Sequence, residues 1–450
     1  MMALSNLPKK SLAESVDIIS GLIDDLLLVI LSFLDIKDAV QTRMLSKRWR
    51  YLWSSLRNLN VDQRLYTCFR KYPFTNSMDK VITLFLHVLP EVQKVHLKVS
   101  SELPQCLLTW KSIRILKLKG VNGYLWLRNP HSVDLPVLKD LYLTRLVLDV
   151  KLLDDFLSKC PVLEVLSLKC CEFVAIEGLN ISSSRLKKLI IVSYGTNYGC
   201  SKHYDIKISA PRLTFLKCRD YIRKTFSLDN LSALVSADID MKKNESFGPL
   251  GTKEEYANRV VKFLDGLYHL ESLSLSAPSL KTFSSALVEL QRLPTKLSNL
   301  RNLKITASPN DACSHVVQLL KISPNIMTLH LNISWTSFES YQGRLYWDEP
   351  LFYPTIMEVN WEADPEFQCM LDDLRYVEVR NFLGCENEIK LLKVLLINAT
   401  SLEKIKINLA QVWPHIKLKM IWAVSNMLQR VPRASPEVHL EFVNFGVLTL

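Results

Sequence analysis

One apolar spacing constrains this chain more than anything else in it. From Val92 onward the order apolar, two residues, apolar, one residue, apolar keeps returning. It is written as Ile113-Leu116-Leu118, Leu138-Leu141-Leu143, Leu163-Leu166-Leu168, Leu186-Leu189-Ile191 and Leu213-Leu216-Cys218. It continues as Leu270-Leu273-Leu275, Leu300-Leu303-Ile305, Ile326-Leu329-Leu331, Leu374-Val377-Val379 and Leu402-Ile405-Ile407, with weaker copies starting at Val92 and Leu234. The steps from Ile113 to Leu234 are 25, 25, 23, 27 and 21 residues. Alternation inside each copy predicts a short strand that buries every second side chain and turns the intervening ones to solvent. One such unit cannot cover its own apolar face, so the units must stack into a solenoid.

A second feature travels with the first. An apolar pair ends six residues before the strand anchor in Phe85-Leu86 (anchor Val92), Phe156-Leu157 (Leu163), Phe263-Leu264 (Leu270), Leu319-Leu320 (Ile326) and Leu395-Leu396 (Leu402). Lys159-Cys160-Pro161 and Ile322-Ser323-Pro324 then break the chain where a helix has to stop. Helix, tight turn and strand therefore recur as a unit. Between Leu331 and Leu374 the spacing lapses, which predicts one poorly matching repeat or an insertion.

The N-terminal part obeys a different rule. Ile23-Asp24-Asp25-Leu26-Leu27-Leu28-Val29-Ile30-Leu31-Ser32-Phe33-Leu34 reads as a helix with acidic residues in its first turn and Leu26, Ile30 and Leu34 on one face. Asp35, with Asp38 three residues on, predicts the cap of a second helix running through Leu45. Ser46 is placed to cap a third, in which Trp49 and Trp53 lie one turn apart. Three short helices in so few residues carry more large apolar side chains than they can bury, and such a surplus points to a covering partner.

This segment, about Asp17 to Trp53, resembles the F-box, the motif that docks a protein onto the Skp adaptor of cullin-based ubiquitin ligases. The ending Leu45-Ser46-Lys47-Arg48-Trp49-Arg50-Tyr51-Leu52-Trp53 is similar to that of plant F-box proteins in particular. Ile23 and Asp35 stand where the family usually has proline, the first of them at the adaptor contact. The stacked units resemble leucine-rich repeats, although the asparagine or cysteine that follows the strand in regular repeats is matched clearly only by Cys171. The segment from Cys369-Met370-Leu371 through Leu374 to Phe382, with Gly384, Glu388, Leu395 to Ala399 and Leu402 to Ile405, resembles the FBD segment of the plant F-box/FBD/leucine-rich-repeat subgroup. So does the tail from Val431 to Phe442.

The resemblance implies an α/β chain: a three-helix F-box, an irregular leucine-rich-repeat solenoid of horseshoe form, and an FBD-like C-terminal cap. In residue terms these are an F-box at 17–57, a linker and first solenoid helix at 58–90, repeats at 91–360 and the FBD-like segment at 361–445. It also implies a substrate-recognition subunit of a Skp–cullin–F-box ligase. The residues expected at the adaptor are Leu22, Ile23, Leu26, Leu27, Ile30, Leu34, Leu45, Trp49 and Trp53. The partners are then a Skp-family adaptor, cullin through it, and an unidentified protein substrate.

Composition narrows the chemistry. The segment Met1 to Asp17 has no continuous apolar run, and Leu26 to Leu34 is too short to span a bilayer, so no signal peptide and no membrane contact are expected. Ten cysteines without C-x-x-C pairs suit buried thiols in a reducing compartment, the nucleus or cytoplasm, and argue against a zinc site. The sequons at Asn180, Asn244, Asn332 and Asn398 would matter only in a secreted protein. No nucleophile elbow, phosphate loop or H-E-x-x-H occurs, and the nine histidines are dispersed. The expectation is a chain with no cofactor, no metal and no catalysis of its own.

Substrate contacts are expected on the residues between and beside the buried strand positions: Lys94, His96, Lys98, Lys117, Lys119, Tyr142, Lys169, Phe215, Lys217 and Arg219. Later strands offer Asp238, Asp240, Ser272, Ser274 and Ser276 at matching places. With 56 Lys and Arg against 45 Asp and Glu the net charge is +11, which favours an acidic or phosphorylated partner. Lysines that merely keep the strands solvated remain the plainer reading of that stripe. Nucleic acid is a weaker fit, since no recognised binding module accompanies the charge. Two alternatives to the ligase subunit stay open. One is an interaction scaffold whose F-box has drifted from adaptor binding at Ile23 and Asp35. The other is a sensor in which a small ligand completes the strand face.

Overall fold

A computed structural model of the chain describes residues 19, 21–66, 89, 91–99, 105–121, 125–127, 133–174, 178–193, 205–221, 226–242, 252–290, 297–308, 312–334, 371–382, 384–410, 414–443 and 448–449. Its frame is one sheet of 15 strands. The strands are Asn58–Asp62, Lys94–Val99, Ile115–Gly120, Asp140–Thr144, Val165–Lys169, Lys188–Val192, Phe215–Tyr221 and Ser236–Lys242, then Ser272–Leu275, Asn302–Ala307, Thr328–Ile333, Tyr376–Phe382, Lys404–Leu409, His439–Val443 and Leu448–Thr449. Each adds parallel beside the one before, except the last, which pairs antiparallel at the edge. The register never slips along the first eleven, so Leu116, Leu141, Leu166, Leu189 and Leu216 lie in one lateral row. That row is fully buried, as are the row formed by Leu118, Leu143 and Leu168 and the anchors Ile113, Leu138, Leu163, Leu186 and Leu213. The spacing read from the sequence thus becomes three continuous files of core side chains, each turn covering the next.

The back of the sheet is walled in two ways. Between the strands at 115–120 and 236–242 the returns are mostly strands themselves, forming two small parallel sheets: Leu125–Leu127, Leu146–Asp149 and Glu172–Val174, then Gly178–Ser182, Asp205–Ser209 and Phe226–Asp229. From Lys253 onward the returns among the described residues are helices: Lys253–Asp265, Ala277–Leu290, Ala312–Ile322, Glu386–Asn398 and Pro414–Gln429. Phe263-Leu264, Leu319-Leu320 and Leu395-Leu396 sit in these helices, and Phe156-Leu157 in the helix Val150–Lys159. Phe156, Phe263, Leu264, Leu319, Leu320, Leu395 and Leu396 are buried, while Leu157 is partly so. Phe85-Leu86 lies outside the described residues. Caps fix the starts: Asp149 accepts from Lys151 N at 3.0 Å, and Thr252 and Glu255 exchange side-chain-to-backbone bonds at 3.1 Å each.

Cys171, after its strand, is buried, and its thiol reaches the carbonyls of Leu143 at 3.5 Å and Lys169 at 3.6 Å, bridging two adjacent turns. The FBD-like residues also acquire structural reasons. Gly384 adopts φ 76°, a conformation glycine holds without strain, and Glu388 caps its helix by accepting from Cys385 N at 2.9 Å.

Two expectations need correcting, and a third narrows. The sheet begins inside the segment read as linker: Leu56, Leu59 and Val61 repeat the apolar spacing, and Asn58–Asp62 pairs with Lys94–Val99. It was missed because that copy follows the N-terminal helices without a turn signal. Of the two alternatives for the lapse between Leu331 and Leu374, the direct pairing of Thr328–Ile333 with Tyr376–Phe382 agrees with the insertion. The second and third N-terminal helices are also shorter than read. Ile36–Gln41 passes into a 3-10 turn at Thr42–Met44, and Trp49–Leu52 starts after Arg48 rather than on Ser46, before a 3-10 turn at Trp53–Ser55.

Candidate protein-docking surfaces

The first surface grows from the helix Asp24–Leu31. Its inward side chains are Leu27 and Leu31, both essentially unexposed, which leaves Leu26, Val29 and Ile30 facing out. Ile23 before it and Phe33 after it extend that outward face, Phe33 being 81% exposed. Met44, Leu45 and Tyr51 are also exposed, Met44 at 82%. Among the described residues, ten of the fifteen exposed large apolar side chains lie between Ile19 and Leu65, a concentration that scattered surface hydrophobes do not show. The expected adaptor residues therefore separate. Ile23, Leu26, Ile30 and Leu45 are exposed, Leu22, Leu34 and Trp53 are partly buried, and Leu27 and Trp49 belong to the core. Leu27 and Trp49 are corrected on that ground, since a side chain already packed inside offers no area to a partner. Val29, Phe33, Met44 and Tyr51 are exposed residues that the reading of helix faces overlooked.

Polar contacts hold this module rigidly. Arg48, from the Leu-Ser-Lys-Arg-Trp motif, donates to Asp24 at 2.7 Å and to the Leu22 carbonyl, pinning the start of the first helix. Asp35 accepts from Lys37 N at 2.9 Å as a helix cap and, with its other oxygen, from Asp62 N at 2.7 Å. Asn60 donates to the carbonyls of Ser32 at 2.8 Å and Leu34 at 3.3 Å. Asp62 and Asn60 belong to the first strand of the sheet, so the module is welded to the sheet rather than tethered to it.

The second surface is the open face of the sheet. One lateral row runs Asn60, His96, Lys117, Tyr142, Ser167, Ile190, Lys217 and Asp238. The next runs Asp62, Lys98, Lys119, Thr144, Lys169, Val192, Arg219 and Asp240. The expected substrate residues thus share one face, with Lys94 and Phe215 in the row on the other side. They are not alike in their partners. Lys98 pairs with Asp62 at 3.1 Å, Arg219 with Asp240 at 3.0 Å, and Lys217 with Asp238. Hydrogen bonding by Arg64, aided by Lys98, outweighs the burial that opposes it and holds the Asp62 carboxyl far below its usual range. Lys117 sits 5.0 Å from the centre of the Tyr142 ring, and Lys188 equally close to Phe215. Burial first, then Lys98, Lys117 and Lys119, pushes the His96 imidazole below its ordinary value.

Burial pushes Cys160 and Cys385 up to about 12, out of the range in which a thiolate forms. No cluster of His, Cys, Asp and Glu suited to a metal occurs among the described residues. No helix among them is long and apolar enough to cross a membrane.

Comparison with known proteins bears on both surfaces. The F-box domain family matches residues 19–60, and the family described as At1g61320/AtMIF1, LRR domain, matches residues 54–435. The chain belongs to the plant F-box/leucine-rich-repeat family. An F-box/FBD/LRR-repeat protein of Arabidopsis thaliana is 29% identical over 86% of this F-box/LRR protein and 88% of its own length. The F-box/LRR-repeat protein 13 of the same plant is 27% identical over 87% and 90%. A further Arabidopsis F-box/LRR-repeat protein reaches 30% over 70% and 73%. Relatives of the F-box/FBD/LRR kind place this F-box/LRR protein in the FBD subgroup.

Proposed function

We propose that this F-box/LRR protein is the substrate-recognition subunit of a Skp–cullin–F-box ubiquitin ligase, working in the nucleus or cytoplasm. The observation that carries the proposal is the set of exposed apolar side chains Ile23, Leu26, Ile30, Phe33, Met44 and Leu45, on and beside the helix Asp24–Leu31 and the 3-10 turn Thr42–Met44. In this reading that face receives the Skp-family adaptor, and cullin follows through the adaptor. The repeats form a curved solenoid, closed by the FBD-like segment, whose open strand face receives a protein substrate. The chain makes no bond itself. It holds a substrate lysine near a ubiquitin-charged enzyme recruited elsewhere in the assembly, turning a bimolecular encounter into a tethered one.

One second reading has an observation behind it. Ile23 and Asp35 replace the family's usual prolines, which supports an interaction scaffold whose F-box has left the adaptor. The deciding experiment is capture of the full chain by a purified Skp-family adaptor, beside Ile23→Pro and a Phe33→Asp/Met44→Asp double variant. Wild-type capture that the double variant loses supports the ligase subunit. Capture only of the proline variant supports the drifted scaffold, and capture of neither removes the ligase reading.

A further inference from the structure

We infer that the open face between the strands Lys94–Val99 and Val165–Lys169 holds a phosphorylated segment of a protein, with one phosphate seated on Lys119, Thr144 and Lys169. The inference deepens the proposed function. It rests on that reading for the bound chain being a substrate, though the anion chemistry stands by itself.

The register supplies the cradle. Lys119, Thr144 and Lys169 are directly opposite one another on three consecutive strands. The two lysines are rooted about 10 Å apart, two strand spacings, with a hydroxyl between them. Both lysines are exposed and Thr144 is half-buried. Two ammonium groups can thus close on one tetrahedral anion from either side while the threonine donates from below, each contact being charge-assisted.

Charge bookkeeping across the face explains why these lysines differ from their neighbours. Lys98, Lys217 and Arg219 each have a carboxylate on the adjoining strand. Further along, Glu378 gathers His330, Arg380 and Lys406, and Glu441 takes Lys404 at 2.6 Å. Among the described residues no carboxylate pairs with Lys94, Lys117, Lys119 or Lys169. Protection of an open edge does not account for them, because the strands carrying them have a neighbour on both sides. Nor does sheet stability: Lys98 and Lys119 are directly opposite, and like charges so placed repel. An anion from outside satisfies what the fold leaves open. A phosphorylated protein segment fits better than RNA, since these strands offer only the rings of His96 and Tyr142 and Lys117 already lies over the second.

The test is fluorescence anisotropy with the full chain. The probe is a labelled peptide of about seven residues alternating phosphoserine and glycine, measured beside its unphosphorylated form and hexauridylate RNA. We expect phosphopeptide binding that weakens with salt and falls about tenfold or more in Lys119→Ala/Lys169→Ala, the scale of lost charge-assisted contacts. The control Lys187→Ala, whose lysine is paired with Glu164 at 3.1 Å, should change it less than about twofold. Thr144→Val, which leaves every charge in place, should weaken it as well. Equal binding of the unphosphorylated peptide, tighter binding of the RNA, or an unchanged double variant overturns the inference. Adaptor capture is scored on the same protein. Loss of capture with phosphopeptide binding intact removes the ligase reading and leaves the anion site standing.

Discussion

Replacing Asp35 tests how the N-terminal helices are joined to the sheet. Its carboxylate caps the helix Ile36–Gln41 through Lys37 N and, on the other oxygen, accepts from Asp62 N in the first strand. Asp35→Ala removes a helix cap, worth about 1 kcal/mol. It also leaves the half-buried Asp62 N–H without that acceptor, worth about 1–3 kcal/mol. The expected loss is therefore about 2–4 kcal/mol. Asp35→Asn keeps one acceptor oxygen and should lose roughly half of that. Asp35→Pro is the informative case. The backbone at φ −62° admits the ring, and proline is what the family usually carries there. The variant should still be less stable than the wild type, because losing both acceptors outweighs the roughly 0.4–1 kcal/mol that proline gains through the unfolded chain. Urea unfolding followed by tryptophan fluorescence reads this directly, since Trp49 is buried in the module concerned. A change below about 0.5 kcal/mol in Asp35→Ala, or a stabilised Asp35→Pro, refutes the argument that this carboxylate is the weld.

Other expectations follow from single features. Ile23 has φ −70° and ψ 155° with an exposed side chain, so Ile23→Pro should leave the melting temperature unchanged or raise stability by about 0.4–1 kcal/mol. Leu216 is fully buried in the middle of its row, and Leu216→Ala should cost about 2–5 kcal/mol in denaturant titration. A Cβ added at Gly266 would lie 2.5 Å from Leu228 Cβ, so Gly266→Ala should cost about 1–3 kcal/mol although its φ is ordinary. Burial raises the Glu378 carboxyl, but hydrogen bonds from Arg380, His330 and Asn408 win and hold it below its ordinary 4.5. The unfolded chain then binds more protons in that window, so this contribution is present above 4.5 and is lost as pH falls below it. Glu378→Gln should flatten the acid limb of a stability-versus-pH curve.

The strands were legible because their signal is local. Every second residue of a triplet such as Leu163-Leu166-Leu168 must be apolar whatever lies next to it, and those side chains are the buried ones. Three of the helices after Lys253 were legible for the same reason, through the pairs Phe263-Leu264, Leu319-Leu320 and Leu395-Leu396, whereas Ala277–Leu290 and Pro414–Gln429 carry no such marker. What could not be read was anything decided by a neighbour distant in sequence. Leu26 and Leu27 differ by one position and look alike in the sequence. Packing against the rest of the module buries one and leaves the other exposed. Lys119 and Lys217 likewise look equivalent on paper. Only the register, which sets Asp238 beside Lys217 and Thr144 beside Lys119, tells a paired cation from an unpaired one. The copy at Leu56, Leu59 and Val61 was hidden by position, since the spacing begins directly behind helices that obey another period.

The join made by Asp35 and Asn60 has a metric consequence. Because the helices are fixed to the first strand and every later strand is laid down at a constant increment, the chain works as a ruler graduated in steps of about 4.8 Å. Lys169 stands four graduations from the strand Asn58–Asp62, an offset of about 19 Å. On the proposed reading, a segment bound at a given strand would keep a set distance from a partner bound at the helices. Gain or loss of one turn between the two changes that distance by a whole step, never by a fraction.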